Sequence, residues 1–275
     1  MKAKVSRIDY SKAMLPRTRK EQLGDCFKMN YSILLKCGLF LLLFFLPLIG
    51  FCIFMDFYYV SLMAHSTEEI EQTRTVYFYI LNSGLVVLSL PVIIAISGIT
   101  HVLRNWIWGE GIFFLSDFGA GIKQNAPKNL IFGFICGAIF FLSYFIFSII
   151  NIQYASYFPL VIFVLVFFPV YFWLMFLNNT YDSKWTVLLK NSFFLYIKTI
   201  GWSLLGILMP PSLASLYFIN SLSLIYIKYI ILVLFIVFVF PIIFLIMNLY
   251  STARFDQYIN KENYPDYYLK GLNHD

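Results

Sequence analysis

The chain has 275 residues, of which 60% are hydrophobic and 12% charged. A soluble domain is about one quarter charged, and the mean hydropathy of +0.77 excludes a soluble globule with an oversized core. The net charge of +6 would suit nucleic acid, but the basic residues are sorted by side of a membrane, so lipid and not nucleic acid is the expected partner.

Residues 1–32 form a polar, basic segment ending in an amphipathic helix, with Leu23 and Phe27 on one face. This segment and the long apolar run behind it do not fit a cleavable signal. "LIGFC" (48–52) resembles a lipoprotein box, but Phe51 stands where a small residue is needed, so lipidation of Cys52 is rejected. The other cysteines, Cys26, Cys37 and Cys136, form no CxxC or Cys/His cluster, and all four read as small apolar side chains.

Residues 33–253 hold the apolar runs, which predict spans at about 34–56, 76–100, 129–150, 157–178, 199–220 and 229–252. Each is about the 20 residues that a helix needs to cross a bilayer, and helices satisfy their own backbone there. Residues 254–275 form a tail, with Phe255, Tyr258 and Ile259 on a short apolar face before Pro265. It is read either as a surface-lying tail or as a docking site for a partner.

All but two of the twenty Lys and Arg residues, Arg74 and Lys228, fall on the side of the N-terminus. Asp56, Glu68, Glu69 and Glu71 crowd the first loop of the other side. By the positive-inside rule both termini are cytoplasmic. Trp106, Trp108, Trp185 and Trp202 fall near the predicted inner interface, and Tyr58, Tyr59, Tyr77, Tyr154, Tyr157 and Tyr226 near the outer one.

Between the second and third runs lies "WIWGEGIFFLSDFGAGIKQNAPK" (106–128), too apolar for a loop and too polar to span. Phe114, Leu115, Phe118 and Ile122 form one stripe, and Ser116, Asp117, Ala120, Lys123 and Gln124 another. This predicts a helix lying along the inner surface, with Asn125 capping the next helix and Pro127 in its first turn. Lys28, Asn30 and Gly38 recur in spacing as Lys123, Asn125 and Gly133, and loosely as Lys190, Asn191 and Gly201. Two explanations fit: three helical-hairpin repeats, or a lysine that topology places before every odd span. The fold class is an all-α polytopic membrane helix bundle of about six transmembrane helices with cytoplasmic interfacial amphipathic helices.

No ionisable residue lies in the middle of a run, which argues against a proton- or ion-driven transporter. Ser97 and His101 share a helix face, but no second His is placed for nucleophilic chemistry. Glu110 and Asp117 read as a solvated polar face, and Arg104 either pairs with one of them or reaches lipid phosphate. Pro47, Pro91, Pro169, Pro210, Pro211 and Pro241 fall within five runs and predict kinks. Kinks shape packing, or expose carbonyls that line a solute path. No catalytic residue, metal or cofactor is expected.

Residues 89–125, "SLPVIIAISGITHVLRNWIWGEGIFFLSDFGAGIKQN", resemble the YesL-like bacterial integral membrane proteins (domain of unknown function 624). The matching positions are Ser89-Leu90-Pro91, Gly98, Arg104, Gly109-Glu110, Asp117-Phe118, Lys123 and Asn125. "YDSKWTVLLKN" (181–191), with Lys190 and Asn191, resembles the family's second cytoplasmic segment, while Gly119 replaces a Phe that many members carry. The resemblance implies a helical protein of the bacterial plasma membrane, often encoded near carbohydrate uptake systems. The expected function is a non-enzymatic accessory protein that binds sugar ABC transporter subunits through its inner-face helices. The alternative is a solute-translocating permease or substrate-binding membrane subunit. The ABC permease coupling signature is missing, since the residue six past Glu110 is Ser116.

Overall fold

A computed structural model describes residues 15–29, 31–63, 70–149, 158–201, 203 and 222–273. The regular elements among them are all helical. Helix α1 is Arg19–Met29, α2 Tyr31–Met63, α3 Ile70–Ile107 and α4 Phe114–Ile149. Helix α5 runs as Phe158–Ile162, a π-helical turn at Phe163–Phe167, and Phe168–Thr180. Helix α6 is Trp185–Lys198. Helix α7 runs as Leu222–Leu234, a π turn at Phe235–Val239, Phe240–Phe255, a second π turn at Asp256–Asn260, and Lys261–Asn263.

Five stretches are long and apolar enough to cross a membrane: Tyr31–Ser61, Val76–Ile107, Phe114–Ile146, Phe163–Thr180 and Tyr226–Asn263. The 199–220 run with Pro210 and Pro211 lies almost wholly outside the described residues. At 1.5 Å per residue, the 38 residues of α3 reach about 57 Å. A hydrocarbon core is only about 30 Å thick, so such helices carry protein well beyond one. Most of the largest fully buried side chains gather at one end, among them Trp173, Phe176, Leu103, Ile107 and Phe255, in a core that extends to Ile49 and Tyr229. At the other end Met55, Tyr77 and Leu81 form a small separate cluster.

The predicted surface helix does not stand apart. Phe114–Ile149 is one unbroken helix, so Asn125 caps nothing. Phe118 points into the bundle, with its ring 5.1 Å from Phe40. It lies where a Cβ on Gly98 would meet it at 2.6 Å, and a Cβ on Gly121 would come within 3.0 Å of the Gly98 Cα. Two glycines thus bring α3 and α4 close enough that burial against protein, not lipid, covers the Phe114 and Phe118 stripe. Leu115, assigned to the same stripe, is exposed, as are Lys123 and Gln124. Trp106 and Trp108 are likewise buried in protein and do not form a belt.

The prolines divide into two kinds. Pro47 and Pro91 lie inside uninterrupted α-helix. Pro169 and Pro241 each follow a π turn, whose wider winding gives the pyrrolidine ring room. Pro169 has no N–H for the Leu165 carbonyl four residues back, and the Tyr196 hydroxyl donates to that carbonyl. Pro241 has none for the Val237 carbonyl, and α2 closes on it at Gly38, where any Cβ would overlap that oxygen. The three glycines of the suggested repeat meet different surroundings. Gly38 abuts a backbone carbonyl, Gly133 the Ile93 side chain, and Gly201 nothing within 4 Å.

Candidate functional site

The polar side chains of the core-rich end converge from three helices. Ser97, His101, Arg104 and Asn105 share a face of α3, as their spacing of four, three and one dictates. Asn125 and Asn129, one turn apart on α4, face them, and Asn178 and Asn179 close the ring from α5. Asn129 Nδ2 donates to Ser97 Oγ at 2.8 Å, and Asn178 Nδ2 to Asn129 Oδ1 at 2.9 Å and the Asn125 carbonyl at 3.1 Å. Asn125 Nδ2 donates to Asn179 Oδ1 at 2.8 Å, and Asn179 Nδ2 to the Thr100 carbonyl at 2.9 Å. Asn125 Nδ2 and His101 Nδ1 also lie 3.5 Å apart. An amide both donates and accepts, so asparagines can close such a ring without net charge.

Arg104 is the charge in this ring, with only 4% of its surface exposed. It does not pair with Glu110 or Asp117. Its Nη1 donates to the Asn179 carbonyl, and Nη2 and Nε to Asn105 Oδ1 at 2.8 and 3.3 Å. The guanidinium lies 4.6 Å from the Trp108 ring centroid. Its charge is spread over amide dipoles and an aromatic face in place of a carboxylate. Glu110 Oε1 instead accepts from Lys270 Nζ at 2.7 Å. Asp117 Oδ2 accepts from the Phe113 backbone at 2.8 Å, satisfying an N–H at the start of α4.

Around this ring the end is closed by α1, the last turns of α7 and residues 264–273. Arg19 Nη2 donates to Asp256 Oδ2 at 2.9 Å, and burial holds the Arg19 guanidinium below its ordinary range while Asp256 opposes the shift. Gln22 Nε2 donates to the Ile107 carbonyl at 2.5 Å. The Tyr181 hydroxyl donates to Asn260 Oδ1 at 2.5 Å. Burial first, then Asp256, raises the Tyr181 phenol above its usual range. Phe255 and Ile259 are buried as an apolar face should be, and Tyr258 meets Phe194 at 6.1 Å.

Not every expected residue joins the ring. Arg104 and Asn125 do, Phe118 supports it from α4, and Glu110 pairs beside it. Lys123 and Lys190 are exposed and Asn191 is half-buried. Sequence reasoning missed Asn129, Asn178 and Asn179. The signal was an Asn repeated at i and i+4 and an Asn pair closing a charge-free run. The Ser97 hydroxyl donates to the Ile93 carbonyl at 2.8 Å and accepts from Asn129. Among the described residues no group of three His, Cys, Asp or Glu could hold a metal ion. The ring can hold helices in register.

The opposite end has a different site. Asp56 on α2 and Lys228 on α7 are buried, 9% and 6% exposed. Lys228 Nζ lies 2.5 Å from Asp56 Oδ2, and the Tyr229 hydroxyl donates to the same oxygen at 2.6 Å. The sequence put both residues on the same side but did not join them.

No family model, curated protein or solved structure matches the chain.

Proposed function

We propose that this is a six-span protein of the bacterial plasma membrane, with the Arg104 end and both termini in the cytoplasm. In this reading it is a YesL-like, non-enzymatic accessory or assembly partner of a carbohydrate ABC transporter. The orientation rests on the sorting of Lys and Arg, and the link to sugar uptake on the resemblance of residues 89–125.

One observation carries the non-enzymatic reading. The polar side chains that chemistry would need are engaged in holding helices together, while α6 leaves Val187, Leu189, Phe193 and Ile197 exposed beside Lys190. A fixed end with an apolar and basic surface is what a docking partner requires. The permease alternative has less support, because the Leu165 and Val237 carbonyls behind Pro169 and Pro241 are already engaged or covered.

Affinity purification in mild detergent, followed by mass spectrometry, tests the proposal. Reproducible recovery of ABC transporter subunits, lost on Val187→Asp with Ile197→Asp, is the expected result. Recovery of the chain alone with a bound small solute would favour the permease. A reporter fused after residue 275 should be active only in the cytoplasm, and activity on the far side would reject the orientation.

A further inference from the structure

Residues 264–273 fold back across the end of α3 and are held there residue by residue. Tyr267 stacks on Trp108 with ring centroids 5.2 Å apart, and Tyr264 lies 5.0 Å from Tyr181. Asp256 Oδ1 accepts from the Leu269 backbone at 3.1 Å. Lys270 Nζ is 2.7 Å from Glu110 Oε1 and 4.1 Å from the Trp108 ring centroid. Gln22 Nε2 donates to the Gly271 carbonyl at 3.3 Å, and Leu272 is buried. Gly271, at φ +83°, fits where any Cβ would overlap the Ile107 carbonyl. The walls come from α1, the end of α3 with the turn at Trp108–Glu110 that follows it, α7, and Tyr181 after α5. They read an aromatic, a lysine, a glycine and an aliphatic residue in order, together with main-chain groups, as a peptide-binding groove does.

Two features leave the occupant short of a best fit. Leu269 is held at φ +53°, a left-handed conformation that strains a residue with a Cβ. The buried indole N–H of Trp108 donates to nothing among the described residues, so a segment bringing an acceptor to it gains a bond that the resident lacks.

We infer that the end of α3 is a peptide-docking groove, occupied in cis by residues 264–273. A partner takes it over with a segment of the same chemistry: an aromatic residue three before a lysine, then glycine and an aliphatic residue. Glu110 selects the lysine by charge, and the lack of space over Ile107 selects the glycine. The inference deepens the accessory-protein reading and rests on it for the partner, but the groove is testable without any partner.

The test uses the full chain in mild detergent and a fluorescent peptide of residues 264–273, YPDYYLKGLN. A tethered segment competes at roughly millimolar effective concentration, so the unaltered chain should bind the peptide weakly. Lys270→Glu in the full chain sets two carboxylates against each other and should tighten peptide binding at least tenfold. Adding Glu110→Lys restores the cis pair and sets a lysine against the peptide's own, so it should abolish the gain and bring binding to the unaltered level or below it. A folded Lys270→Glu chain that binds the peptide no better than the unaltered one overturns the inference. Hydrogen exchange on the unaltered chain gives a second measurement that depends on no variant. Amides of 264–273 should exchange at least a hundredfold faster than those of 99–107, and equal rates would overturn exchangeability. Neither readout involves transporter subunits, so failure of the purification above and failure of the groove are distinguishable.

Discussion

The two ends of the bundle solve the same problem differently. At the Arg104 end a buried cation is surrounded by neutral dipoles, and three helices are tied by amide hydrogen bonds. At the Asp56 end one buried ion pair with one tyrosine joins α2 to α7. Between the two ends, α4 and α7 leave Phe134, Leu142, Ile230 and Leu234 exposed. In lipid such faces need no protein cover, because hydrocarbon is as apolar as leucine. A part that must keep one shape against water or a partner cannot rely on lipid, and there the chain closes a packed core with a satisfied polar ring. In the proposed reading the Arg104 end is the rigid working part and the Asp56 end the part seated among lipid.

The largest test of that contrast is Arg104→Met. It strands the Asn179 carbonyl and Asn105 without their cationic donor, and breaking a buried charged network costs about 3–5 kcal/mol. Phe134→Ala, on an exposed face, should cost within about 0.5 kcal/mol. Thermal unfolding in micelles, followed by loss of the monodisperse peak on size exclusion, should separate them clearly. Equal melting would mean that the ring does not organise its end.

A second test belongs to the Asp56 end. Asp56→Asn leaves Lys228 buried without its counter-charge, at a cost of about 3 kcal/mol. Replacing both residues by leucine removes the stranded charge and should recover most of that loss. If the single variant is as stable as the unaltered chain, the pair adds nothing to the junction of α2 and α7.

A smaller effect is expected from glycines. Gly38→Ala pushes a methyl into the Val237 carbonyl and should cost about 1–3 kcal/mol through overpacking. Gly50 has nothing within 4 Å of its missing Cβ. Gly50→Ala should therefore be neutral, or stabilising by up to about 1 kcal/mol through helix propensity. The same melting assay reads both, and a harmless Gly38→Ala would rule out the close approach of α2 to α7.

Most of the helical architecture was legible from the sequence, because charge-free runs of the right length leave little choice but helix. The division of 129–181 expected at 151–159 lies almost wholly outside the described residues, which resume at Phe158. The break expected between 124 and 129 does not exist. An amphipathic stripe has the same spacing whether it faces lipid or protein, and only the Gly98 and Gly121 contact decides between them. Arg104 and Asn125 stood out as polar residues near apolar runs. Their partners on α5 did not, because hydrogen bonds between helices more than 50 residues apart leave no local periodicity. The pairing of Asp56 with Lys228, 172 residues away, is hidden for the same reason.

The smallest effect concerns α1, the helix that distinguishes a closed Arg104 end from an open one. Cys26 is buried there, and burial, with Asp25 adding to it, pushes its thiol up to about 12. A raised thiol keeps the neutral form in the fold. Its contribution to stability is complete below the ordinary value of about 8.5 and is lost as the pH climbs toward about 12. At pH 8 only about one thiol in ten thousand is then thiolate, the reactive form. In a chain whose other three cysteines are alanine, N-ethylmaleimide should modify folded Cys26 slowly at pH 8 and quickly after denaturation. The folded rate should rise about tenfold per pH unit above that. Rapid modification of the folded chain at pH 8 would mean that α1 swings clear of the core, and the Arg104 end would lose its claim to be the rigid one.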